Sequence, residues 1–97
     1  MVEGLDPLIH PPHRLQLMAL LGEVTDMEFS VARELLGVSD SVLSKHLAQL
    51  AAADYVALRK ATVEGRQRTW IVLTSKGRSA FRGHVAALQA LVGAARG

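Results

Sequence analysis

The hydrophobic pattern is clearest from Val38 to Leu50, VSDSVLSKHLAQL, where Leu43, Leu47 and Leu50 recur at steps of four and three. That spacing gathers them on one stripe of a helix spanning about 40–52. Ser39 offers a side-chain oxygen to the free amides of the first turn, and Asp40 places negative charge at the positive end of the helix dipole. The opposite stripe is polar, with Ser41, Ser44, Lys45 and Gln49, and Val42 beside them near the helix start.

Upstream, Asp6-Pro7 and His10-Pro11-Pro12 predict a turn followed by a helix entry, because proline fits the first helical position. A helix is expected over about 12–21. Leu15, Met18, Ala19 and Gly22 make one face of it, while Leu17, Leu20, Leu21 and Val24 extend beyond, more than one small core can bury. Gly22 to Asp26 reads as a loop and Met27 to Phe29 as a brief extended edge. Ser30 is then expected to cap a second helix, Val31 to Leu36. Gly37 follows where a left-handed residue ends a helix. Leu36 and Val38 flank the turn and are placed to pack on Leu43 and Leu47, so LLGVSDSVLSKHL reads as helix, tight turn, helix.

After the alanine-rich end of this helix the period changes. Tyr55, Val56 and Leu58 lead into Arg59 and Lys60, and Thr69 to Leu73 forms a second β-prone run. Gly65, in TVEGRQR between them, suits the tip of an antiparallel hairpin. Thr74 or Ser75 is expected to cap a last helix over about 75–95. Its apolar positions form two stripes, Phe81, Val85, Leu88 and Val92, and Ala80, Ala87, Leu91 and Ala94. The fold class is therefore α+β, mainly α: a three-helix core, a two- or three-stranded wing sheet over 59–69 and a long C-terminal helix. Residues 1–97 suit one domain.

Composition sharpens two points. With 49% hydrophobic residues in 97, the spare stripes of the first and last helices imply a second copy of the chain. Leu17, Leu20, Leu21, Leu88, Leu91 and Val92 are the expected dimer interface. The net charge of +2 hides an asymmetry: residues 1–40 hold two Lys and Arg against seven Asp and Glu, while 41–97 hold nine against two. A basic segment that starts inside the third helix and continues through Arg59, Lys60, Arg66 and Arg68 matches phosphate binding. No apolar run reaches transmembrane length, and MVEGLDPLIH lacks the basic and apolar segments of a signal peptide, so a cytoplasmic protein with no membrane partner is expected.

Other chemistry fares poorly. The absence of cysteine removes disulfides, thiolate ligands and a cysteine nucleophile. His10 and His13 are spaced like metal ligands, with His84 in reach across a dimer interface, yet no acidic or thiol ligand completes a set. No metal or cofactor is expected. His46 reads as a partly buried packing residue that hydrogen-bonds locally. Asp40, Ser44 and His46 share one short helix and cannot converge as a triad, and Gly65 is no phosphate loop, so an enzyme is not expected.

The order helix, helix, capped helix, basic hairpin, long helix resembles the MarR/ArsR-type winged-helix transcriptional regulators. The resemblance rests on LDPLIHPPHRLQLMALL, GVSDSVLSKHLAQL and RTWIVLTSKGRSAF. It implies a homodimer on double-stranded DNA, with the third helix in the major groove and the wing at the backbone or minor groove. Ser39, Ser44 and Lys45 would then contact phosphate, Ser41, Val42 and Gln49 would read bases, and Arg66, Gln67 and Arg68 would serve the wing. Val42 departs from the family, in which a polar residue such as asparagine is common there. Any regulatory signal is expected to act at the dimer interface, through uptake of a small-molecule effector between the first and last helices, or through protein concentration. The alternative is a protein-protein assembly module using Leu58, Trp70 and Val72, or the spare stripe of the last helix.

Overall fold

A computed structural model describes residues 4–96; of the expected domain 1–97, residues 1–3 and 97 lie outside the described residues. The chain runs α1 (Pro12–Leu21), β1 (Met27–Glu28), α2 (Phe29–Leu36), α3 (Asp40–Ala52), β2 (Val56–Val63), β3 (Arg66–Leu73) and α4 (Ser75–Arg96). The strands form one antiparallel sheet in the order β1-β3-β2, so the wing sheet has three strands and the short edge at Met27 belongs to it.

Local chemistry sets the joints. Gly37 ends α2 at φ +68°, with its amide donating to Glu34 O and that of Val38 to Arg33 O. This Schellman turn needs a left-handed residue and aims the chain into α3. Ser39 Oγ accepts from the Val42 amide at 3.2 Å and caps α3 as its sequence suggests. The end of α3 repeats the Schellman pattern with Asp54 at φ +62°, Tyr55 N bonding Leu50 O. The hairpin turns on Glu64 and Gly65, both at positive φ, the signature of a two-residue type I′ loop. Two cap assignments change or narrow. Glu28, not Ser30, caps α2, its carboxylate accepting from the Ser30 amide at 2.7 Å, so the helix starts two residues earlier. Thr74 caps α4, its Oγ1 accepting from Gly77 N.

Leu17, Met18 and Leu21 of α1, Ala32 and Leu36 of α2, Leu43, Leu47 and Leu50 of α3, Val56, Ile71 and Leu73 of the sheet, with Met27, make the core. Ile9 anchors the preceding segment Gly4–His10, a strap across α1 and α4, in the same core. The face of α1 differs from its expected division: Leu17 and Leu21 are fully buried within their own chain, while Ala19 and Val24 are exposed. Leu17 and Leu21, expected at a dimer interface, are thus taken up by the core of their own chain. Leu20 stays half-buried, as does Leu88, and Leu91 and Val92 are exposed at 42% and 54%. The second half of α4 thus projects an apolar stripe that no described part of its own chain covers.

Candidate nucleic-acid interface

With 3.6 residues per turn, each residue of α3 is rotated about 100° from the last. Leu43, Leu47 and Leu50 point inward, which leaves Ser41 and Lys45 on the outermost face. Ser44 and Ala48 turn towards the wing, where they line one cleft with Leu58, Lys60 and Thr69. Val42, His46 and Gln49, again at steps of four and three, form the side nearest α1. Ser39, Ser41, Val42, Ser44, Lys45 and Gln49 are all exposed. Ser39 and Ser41 hydroxyls lie 3.2 Å apart at the helix start.

The wing's cations divide into two groups. Arg59 is paired with Asp26 at 3.1 Å and lies over the Trp70 ring, and Arg68 is paired with Glu28 at 2.7 Å. Hydrogen bonds from Ser30 hold the Glu28 carboxylate below its ordinary value of 4.5, and Arg68 adds to this. Among the described residues no acid lies in ion-pair range of Lys45, Lys60 or Arg66. Gln67 is exposed beside Arg66, and both line a second cleft with Phe29 and Ser30 of α2. Of the five cationic positions expected on helix and wing, the structure therefore leaves three unpaired and ties two into the sheet.

Cross-strand partners share a face of a sheet. Leu58 pairs with Ile71 on the face towards α3, whereas Trp70 pairs with Arg59 and Val72 with Ala57 on the other. The apolar patch of Leu58, Trp70 and Val72 is thus split between two faces.

Residues outside the sequence-predicted set bear on this site from a distance. Arg14 of α1 donates to Gln49 Oε1, lies 3.2 Å from His46 Nδ1 and donates to the Leu8 carbonyl. His46 therefore bonds across 32 residues and not locally. Burial first, then the charge of Arg14, His13 and Lys45, pushes its pKa below the ordinary 6.5. The strap is latched by His84, fully buried on α4, whose Nδ1 accepts from the Asp6 amide at 2.9 Å and whose Nε2 lies 3.4 Å from His10 Nδ1. His84 thus meets His10 inside one chain, not across a dimer. Asp6 in turn accepts the Tyr55 hydroxyl at the end of α3. Apart from Arg14 and Leu8, six residues apart, these partners are separated by 32 to 78 residues, so no local spacing announces them. Among the described residues no three His, Asp or Glu gather to hold a metal ion, and no helix is long and apolar enough to cross a membrane.

A capped helix set at a fixed angle by a tight turn, with a basic three-stranded wing beside it, defines a winged helix-turn-helix. The family model described as winged helix DNA-binding domain matches residues 13–92, and the chain belongs to that family. It is 35% identical over 72 residues to an uncharacterized protein of Methanocaldococcus jannaschii, covering 74% of this chain and 78% of that one. Among solved structures it is similar to the transcriptional regulator homologue protein from Pyrococcus horikoshii OT3, with TM-score 0.84 and 23% identity over 90% of this chain and 86% of that chain. It is also similar to the PcaV transcriptional regulator from Streptomyces coelicolor, solved in complex with its natural ligand, with TM-score 0.75 and 15% identity. That match covers 88% of this chain and 59% of PcaV. The family is that of winged helix DNA-binding domains, and the fold is the one shared by these solved regulators, so the winged-helix resemblance holds at the level of fold.

Proposed function

We propose that the chain is a cytoplasmic homodimeric transcriptional regulator that binds specific sequences of double-stranded DNA. In this reading α3 lies in the major groove and the hairpin 59–69 follows the backbone or minor groove. The observation that carries it is the cleft shared by Ser44 of α3 and Lys60 of the wing, flanked by exposed, unpaired Lys45. In this reading helix and wing present their unpaired cations to backbone phosphates from one surface. Ser41, outermost on α3, is the leading base-edge contact, with Ser39, Ser44 and Lys45 on phosphate and Val42 at the margin, where a methyl contact to thymine suits it.

The dimer reading rests on the projecting stripe Val85, Leu88, Leu91 and Val92. With Leu17 and Leu21 in the core, Leu20 is what α1 adds. Two recognition helices related by a twofold axis read half-sites about 34 Å apart. A small-molecule effector is part of the reading, supported by the ligand of PcaV; its chemical class is open.

A gel shift on random duplex DNA at rising salt tests the function. Binding at low salt that weakens steeply as salt rises is expected, and no binding at low salt refutes it in favour of the assembly module. Light scattering tests the dimer: Leu88→Asp buries an unpaired charge and is expected to weaken association about a hundredfold. A strictly monomeric wild-type protein overturns the dimer.

A further inference from the structure

Gln49 looks from sequence like a base reader, because a glutamine carboxamide can pair bidentately with adenine. In the fold its oxygen is engaged elsewhere. Val42, His46 and Gln49 form the stripe of α3 nearest α1, and Arg14 reaches two of them with one nitrogen: Nη1 donates to Gln49 Oε1 and lies 3.2 Å from His46 Nδ1. Its Nε donates to the Leu8 carbonyl in the strap. A guanidinium is planar, permanently charged and offers its donors in a fixed fork. Bonded to the strap at Nε and to α3 at Nη1, it fixes how α3 lies against α1. The strap itself is latched to α4 through His84 and Asp6.

We propose that Arg14 is a positioning residue for the recognition helix, holding α3 at its reading angle through His46 and Gln49, and that Gln49 positions the helix instead of reading a base. The proposal rests on the DNA-binding reading and refines it. It carries a pH signature. A guanidinium only donates, so His46 Nδ1 must be its unprotonated acceptor. The charged and titratable groups facing His46 are Arg14 and His13 from α1 and Lys45 on its own helix. None is acidic, so a proton on His46 turns the acceptor into a donor against Arg14 and breaks the clip.

The test uses the full chain, a duplex selected from a random pool and a scrambled duplex of equal length, with fluorescence anisotropy from pH 8 to 5.5 at constant salt. Arg14→Met is expected to lower the ratio of selected to scrambled affinity about tenfold, the effect of losing one charge-assisted hydrogen bond. Arg14→Lys, a donor without the fork, is expected to recover part of it. The wild-type ratio should fall as the pH drops below about 6.5, the ordinary histidine value, while Arg14→Met shows a flat profile. Gln49→Ala, at an exposed position, is expected to lower the ratio similarly while a fresh selection returns the same preferred bases. A folded Arg14→Met with the wild-type ratio and pH profile overturns the proposal, and so does a Gln49→Ala protein that selects different bases. If Arg14→Met does not fold, Gln49→Ala decides alone. Wild-type protein that binds neither duplex refutes the DNA reading itself, an outcome distinct from these.

Discussion

The regions on the two sides of α3 are built with different chemistry. On the strap side, contacts are mostly hydrogen bonds among partly or fully buried groups: His84 with the Asp6 amide, Asp6 with Tyr55, Arg14 with His46. On the wing side they are ion pairs whose arginines keep substantial exposure, Arg59 at 56% and Arg68 at 40% of their side chains, although the Glu28 side chain under Arg68 is exposed at only 12%. Buried hydrogen bonds are costly to break, because the orphaned partner stays desolvated. Exposed ion pairs contribute little and are screened by salt. The strap side therefore sets where α3 stands, while on the wing side the unpaired cations, more than the paired ones, are available to an external polyanion.

The hardest blow to the strap side falls at Gly77. A Cβ there would lie 2.0 Å from the Tyr55 carbonyl oxygen, a backbone atom that already accepts from Thr74 N. Gly77→Ala must separate α4 from the α3–β2 junction. A loss of about 3 kcal/mol is expected, at the upper end of overpacking costs. For a domain of this size that lowers Tm by about 15 °C. A calorimetric Tm within 3 °C of wild type, on a scale of about 4 °C or more per kcal/mol, would show that this junction yields, contrary to its tight packing.

Tyr55→Phe removes one bond from the same side, with an expected cost of about 1.5 kcal/mol, since the acceptor is a carboxylate. Tyr55 is the chain's one tyrosine, so absorbance at alkaline pH reads it without ambiguity. Its hydrogen bond to Asp6, then burial, push its pKa from 10.0 up to about 12. The raised value means that the folded state resists deprotonation. Stability is complete below about pH 10, the ordinary value, and is lost as the pH rises towards 12. A tyrosine that titrates near 10 in the folded chain would mean that Asp6 does not hold it.

The two sides also differ in how far the sequence discloses them. The wing side is written locally: Arg66 and Arg68 follow Gly65 in TVEGRQR, and alternation assigns their faces. So are α3 and its Ser39 cap, because a capping oxygen and an apolar step of four and three act within a few residues. Glu28 is a partial exception, a cap of a less usual type that doubles as the partner of Arg68, 40 residues away. The strap side is written nowhere locally. His84 stands at a surface-like position of α4 by composition and becomes buried only because the strap folds over it, 78 residues distant. Leu17 and Leu21 read as surplus for the same reason, since a periodicity gives the width of an apolar face but not which neighbour covers it.

His84 offers a gentler perturbation of the strap side. Burial, and then His10, push its pKa below the ordinary 6.5, with Asp6 opposing. Nδ1 accepts from the Asp6 amide, so the folded state requires that nitrogen unprotonated. With a depressed value the sign is fixed: this contribution is complete above about pH 6.5 and is lost as the pH falls through the lower folded value. His84→Asn keeps an acceptor for the Asp6 amide without a titratable ring. Urea midpoints between pH 7.5 and 5 should decline for wild type and decline less for the variant; parallel curves would assign the acid sensitivity elsewhere.

The smallest effects on stability belong to the wing side, and there the contrast is sharpest in DNA binding. Arg59→Ala removes a partly exposed ion pair and is expected to cost no more than about 1 kcal/mol, and Lys60→Ala, unpaired, less than that. On DNA the order should reverse. Each phosphate contact contributes close to one unit to the slope of log affinity against log salt. Lys60→Ala and Arg66→Ala should therefore each reduce that slope by about one, weakening all sequences alike. Arg59 and Arg68 must first leave Asp26 and Glu28, so whatever they gain from phosphate is offset by the acid left behind, and their alanine variants should change the slope by less. Equal slopes for the two pairs of variants would mean that the internal ion pairs open freely on DNA, and the wing would then contribute all of its charge to binding.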